Sequence, residues 1–149
     1  MIAETLRAEC ERAITQLMQR HNWQLLDKSA FVTRLLARAQ EHDPVSNTVA
    51  HEPLTSLAVN EYCLVWHQAC RQPGPQQARA YQEIARYLYD RALHKYGDPD
   101  LAHDIAQDAL LLIYEQIDNC RNPGAFLAFA LLKLWNAATT YFRKRNRTL

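Results

Sequence analysis

Glycine is scarce in this chain, and strand patterning is scarce with it. Only three glycines occur among 149 residues, and no stretch sustains the alternation of Val, Ile and Thr that marks a half-buried strand. A sandwich or barrel is excluded, which leaves helices. Cysteine is equally unorganised. Cys10, Cys63, Cys70 and Cys120 include no Cys-x-x-Cys pair, and a chain of this length needs no covalent staple. We expect reduced thiols, mostly on apolar helix faces, in a cytoplasmic protein. An excess of one charge is also missing: the formal net charge is +1, which gives no support to a general polyanion binder. No run approaches the roughly 18 consecutive apolar residues of a membrane span, and the first residues lack a signal-peptide core. Catalytic signatures are lacking too. There is no phosphate loop and no Gly-x-Ser-x-Gly, and the six histidines are scattered. Cys63, His67 and Cys70 share one helical face but have no evident fourth partner, so no metal or cofactor is expected. The chain does not read as an enzyme.

What is present is helical periodicity almost throughout, and the expected fold class is all-α. Residues 3–20 place Leu6, Cys10, Ala13, Ile14 and Leu17 on one stripe. Asp27 or Ser29 can cap a second helix that reaches about Glu41, with Phe31, Val32, Leu35, Leu36 and Ala39 as its apolar positions. A polar link from Val45 to Pro53 leads to a third helix, Leu54 to Arg71. Pro73-Gly74-Pro75 is the strongest break in the sequence. We place a module boundary there, between an N-terminal helical extension (1–72) of about three helices and a three-helix domain (76–149).

The second part is organised around one junction. Gly97 can take the left-handed conformation that closes a helix, Asp98 can cap the next, and Pro99 suits its first turn. In the helix that follows, Leu101, Ile105, Ala109 and Leu112 share an apolar face. Asp100, Asp104, Gln107, Asp108, Leu111 and Glu115 share an acidic one. A polar loop, Asp118–Gly124, leads to an apolar last helix expected over about 125–144. Phe129, Lys133, Asn136, Thr140 and Arg143 recur along it at helical spacing, giving donors for phosphates and base edges beside an aromatic surface. Charge follows the same division: residues 1–72 hold seven Lys/Arg against eight Asp/Glu, and residues 73–149 hold ten against eight. Four of those ten lie within Arg143-Lys144-Arg145-Asn146-Arg147, which points to a local phosphate contact.

The run Asp98-Pro99-Asp100, with Asp104-Ile105-Ala106-Gln107-Asp108, then Leu110 to Ile113 and Tyr114, resembles the second region of bacterial RNA polymerase sigma factors of the extracytoplasmic-function type. The resemblance extends from about Tyr81 to about Arg145. It implies a transcription initiation factor domain that binds core RNA polymerase and recognises and melts the promoter minus-ten element. Asp104, Gln107, Asp108 and Leu111 match the positions that face the clamp helices of the polymerase largest subunit. The loop with Asn119, Arg121 and Asn122, together with Phe129, Lys133, Asn136, Thr140, Arg143, Lys144 and Arg145, matches those that meet the single-stranded non-template strand. An anti-sigma factor is a further partner the resemblance allows. The chain departs from the family pattern at Trp135, where Arg is usual, at Thr140, where Asp is common, and at Leu127, where Arg often stands. The departures at Trp135 and Thr140 favour an alternative, a sigma-like adaptor or regulator that binds polymerase or another protein without reading a promoter. Such factors carry a second helical domain with a helix-turn-helix, which has no counterpart in residues 1–149. Residues 1–72 resemble no family we recognise; by position they would modulate access to the domain that follows.

Overall fold

The structure is a computed structural model that describes residues 2–42 and 51–148. It contains six helices, α1 (Ile2–His21), α2 (Lys28–His42), α3 (His51–Arg71), α4 (Pro75–Tyr96), α5 (Pro99–Gln116) and α6 (Phe126–Thr148), with 3-10 turns at Ile117–Asn119 and Pro123–Ala125. No strand occurs among the described residues, and the fold is all-α. The chain divides into two compact units, Met1–Trp66 and His67–Leu149. The division falls inside α3, upstream of Pro73-Gly74-Pro75.

The first unit is built from α1, α2 and most of α3. Asn22 closes α1 in the left-handed region (φ 54°), its N–H donating to the Met18 carbonyl at 2.9 Å. Asp27 is the cap that starts α2, accepting from the Ala30 N–H at 2.7 Å. Leu6, Cys10, Ala13, Ile14 and Leu17 are all buried, as are Phe31, Val32, Leu35 and Ala39. An aromatic cluster fixes the centre. Trp23 stacks on Tyr62 at 4.2 Å, and Trp66 stands edge-on to both, at 5.2 and 4.9 Å. Burying the Tyr62 hydroxyl is compensated by a bond it accepts from the Leu25 N–H, 3.0 Å long. The Glu61 carboxylate, buried on the same helix, is held between Arg34 (3.0 Å) and Arg38 (3.2 Å).

One expectation for this unit changes in detail. α3 begins at His51, three residues before Leu54, so Pro53 lies in the first helical turn, where a missing N–H costs no intrahelical bond. Most of the link expected from Val45 to Pro53 falls outside the described residues.

The second unit comprises the end of α3 with α4, α5 and α6. α5 is its central helix and packs against both α4 and α6. Its buried positions are Leu101, Ala102, Ile105, Ala106, Ala109 and Ile113. They face Ala80, Ile84, Leu88 and Ala92 of α4, and Phe126, Ala130, Leu134, Ala137 and Ala138 of α6. Alanines between the large residues let the helix backbones approach closely. Ile113 rather than Leu112 completes the α5 stripe, because the buried face has to serve two neighbours and is therefore wide.

The junction before α5 is built as expected. Gly97 sits at φ 71°, its N–H bonded to the Leu93 carbonyl at 2.8 Å. The Asp98 carboxylate accepts from the N–H groups of Asp100 (3.0 Å) and Leu101 (3.4 Å). α6 runs to Thr148, past the expected end near 144, so Arg143, Lys144 and Arg145 all lie within the helix. By length and composition α6 could cross a membrane, a property that counting consecutive apolar residues did not reveal. Lys133 in mid-helix and its stripe packed on α5 make it a bundle helix here.

Replacing the cap should be felt by the whole unit. Asp98→Ala should lower stability by about 1 kcal/mol, and Ile105→Ala at the centre by about 2–5 kcal/mol. Urea unfolding followed by helical circular dichroism measures both.

Candidate functional site

The packing of α5 decides what it can offer. With one broad face committed to α4 and α6, the opposite face is free of the core. Asp104, Gln107, Asp108 and Leu111 are all exposed on that face. Leu111 is 56% exposed and Tyr114, three residues on, 61%. Two large apolar side chains in water beside two carboxylates are unusual for a purely solvated surface. Tyr114 was visible in the sequence only as the end of an apolar run; its exposure is what adds it to this patch. His103 Nδ1 lies 3.8 Å from Asp104 Oδ1, and both side chains are about two-thirds exposed, so the contact leaves the carboxylate accessible.

The loop after α5 is a pair of tight turns. The Cys120 N–H bonds back to the Ile117 carbonyl (3.2 Å) and the Ala125 N–H to the Asn122 carbonyl (2.9 Å). Between these bonds Asn119, Arg121 and Asn122 are exposed, while Cys120 is buried with its thiol toward the Asn122 carbonyl. The loop thus presents three polar side chains on a short, internally bonded frame.

α6 carries the remaining candidates. Asn136, Thr140, Arg143, Lys144 and Arg145 are exposed, and Phe129 is half-buried. Lys133 is half-buried. Its ammonium donates to Gln116 Oε1 at 2.6 Å and lies 5.0 Å from the centre of the Phe129 ring, so it is engaged at the end of α5. Trp135 also has a cation against it, Lys95 from α4, at 4.4 Å from the ring centroid. An open groove of about 300 Å³ is lined by Asp108, Thr140, Tyr141, Lys144 and Arg145. The acidic set of α5 and the basic set of α6 therefore meet at Asp108, which helical spacing could not indicate. Among the described residues no three His, Cys, Asp or Glu side chains are placed to hold a metal ion.

One titratable group under the loop escaped the sequence reading as anything but a metal candidate. His67 is 8% exposed, and its Nε2 has no hydrogen-bond partner. Burial lowers its pKa below the ordinary imidazole value, and Arg71 lowers it further; the Ile117 carbonyl and Asp118 pull the other way.

Residues 80–148 match the family model for sigma-70 region 2. No curated protein and no solved structure matches the chain. The matched segment begins and ends within a few residues of the resemblance drawn from the sequence.

His67 gives the second unit a pH dependence of defined sign. Its folded-state pKa lies below the unfolded value of about 6.5, so its neutral form is favoured by folding. The associated stability is present above that value and is lost as pH falls through the lower folded value. Stability measured between pH 7.5 and 5 should decline on acidification, and His67→Gln should flatten that part of the profile.

Proposed function

We propose that residues 80–148, which match the family model for sigma-70 region 2, serve as a non-enzymatic element of transcription initiation that engages RNA polymerase and takes part in promoter melting. The type is extracytoplasmic-function. Asp104, Gln107, Asp108 and Leu111, with Tyr114 added, form the face that docks on the clamp helices of the polymerase largest subunit. Asn119, Arg121 and Asn122 hold a base of the non-template strand, and Phe129, Asn136, Thr140, Arg143, Lys144 and Arg145 follow that strand along α6. The chain does no chemistry. Taking a base out of the stack costs a few kcal/mol, and stacking with edge hydrogen bonds at the loop returns it.

The observation that carries this reading is the outer face of α5. Exposed Leu111 and Tyr114 flanked by Asp104 and Asp108 have the make-up of a protein-docking patch, with an apolar centre and a charged rim. The docking face and the strand-following face lie on helices packed side by side, α5 and α6. One rigid body can then hold polymerase on one helix and the opened strand on the next.

A second reading is favoured by one contact. The Lys133 ammonium is bound to Gln116 and Phe129, which weakens the basic stripe at its centre. On that reading the chain is an adaptor or regulator that docks on polymerase without holding DNA. An anti-sigma factor would compete for the α5 face under either reading.

Pull-down of bacterial core RNA polymerase separates these from a chance likeness. The full chain should retain polymerase, and Asp104→Arg should abolish retention; a wild-type chain that retains none overturns both readings. Affinity for single-stranded non-template DNA that falls as salt rises supports the promoter reading, and polymerase retention without it supports the adaptor.

A further inference from the structure

The last turn of α3 lies upstream of the matched segment, yet it belongs to the second unit, which begins at His67. It is tied down from one side. Gln77 on α4 donates from Nε2 to the Cys70 carbonyl at 2.8 Å, satisfying one of the carbonyls that the end of α3 leaves without a helical partner. The Tyr81 ring of α4 sits with its hydroxyl toward the Cys70 thiol. Two side chains of this fixed turn, four residues apart and so on one face, reach the loop after α5. His67 lies beneath it, facing the Ile117 carbonyl and standing edge-on to Phe126 at 5.9 Å. Arg71 reaches its rim, Nε to Asp118 Oδ1 at 3.1 Å. The two contacts grip the loop at both of its roots, Ile117–Asp118 on one side and Phe126 on the other.

We infer that this turn of α3 is a positioning element for the Ile117–Ala125 loop, with His67 setting its depth and Arg71 its lateral placement. For its consequence in DNA binding the inference rests on the base-holding role proposed above. The loop has few devices of its own: two internal backbone bonds and no buried side chain other than Cys120. A base pocket made of exposed Asn119, Arg121 and Asn122 needs its backbone held to a fraction of an ångström, or the energy of stacking and edge recognition is spent on ordering the loop. Residues outside the family segment supply that restraint. The buried, unpartnered Nε2 of His67 fits such a device, because a polar atom left without a partner persists where the placement of the ring serves something besides stability.

Amide hydrogen exchange on the full chain tests this directly. Arg71→Glu sets a like charge against Asp118, and both side chains are largely exposed, so the variant should fold normally. Exchange of the Cys120 and Ala125 amides should then rise about three- to fivefold, with the amides of α4 and α5 unchanged. The reciprocal pair Arg71→Glu with Asp118→Arg should restore wild-type exchange, which a general loss of stability would not allow. His67→Leu, which keeps the volume and removes the polar ring, should raise loop exchange in the same way. Unchanged loop exchange in both single variants overturns the inference. In parallel, the wild-type chain with core polymerase is offered a pool of random single-stranded oligonucleotides. Selection of a preferred base that Arg71→Glu relaxes, with polymerase retention intact, supports the positioning role in full. A loop that responds in exchange while the wild type selects no base overturns the base-holding reading and supports the positioning of the loop itself.

Discussion

The burial of one broad face of α5 between two neighbours is the constraint on which the second unit depends. Six positions on an 18-residue helix, Leu101 through Ile113, are removed from water by α4 on one side and α6 on the other. A helix shared in this way has no rotational freedom left. Its opposite face, with Asp104, Gln107, Asp108 and Leu111, is therefore fixed in direction as firmly as its core. The Gly97–Asp98 junction sets where that face begins. A left-handed glycine ends α4 and a carboxylate immediately starts α5, so no residue of slack separates the two helices. Rigidity of this outer face follows from core packing, not from contacts made by the face itself.

The three faces that matter differ in how they are supported. The α5 patch rests on core side chains directly beneath it. The α6 stripe rests on the same core from the other side and is interrupted where Lys133 bonds to Gln116. The loop between them has no core of its own and takes its shape from two internal turns and from the end of α3. Support from the core is thus greatest beneath the two helix faces and least beneath the loop.

Much of this was legible in the chain. Helix ends were readable because Gly97, Asp98 and Asp27 are residue types whose local chemistry determines a conformation, whatever lies around them. The buried stripes of α1 and α2 followed from periodicity alone. The wording from Asp98 to Tyr114 was specific enough to point to the region that the family match covers. Other features depend on residues far apart in sequence. Nothing local says that Lys133 will bond Gln116, that Asp108 will share a groove with Lys144 and Arg145, or that His67 will lie beneath Ile117. The end of α6 was underestimated for a related reason: a basic run looks like a terminus, and only its continuation from a packed stripe keeps it helical.

All four cysteines are buried thiols, none of them in a disulfide. Burial pushes the Cys10 thiol up to about 11 and the Cys70 thiol up to about 12, and it raises Cys120 as well. At neutral pH almost none of these three sulfurs is thiolate, and the thiolate is the species that reacts. The placement is also even-handed, with Cys10 and Cys63 in the first unit and Cys70 and Cys120 in the second. The folded chain is thereby nearly invisible to an alkylating reagent, and each modified sulfur records an opening of the unit that contains it. Four ordinary core residues amount to a built-in chemical clock, able to time the breathing of either half without a foreign probe.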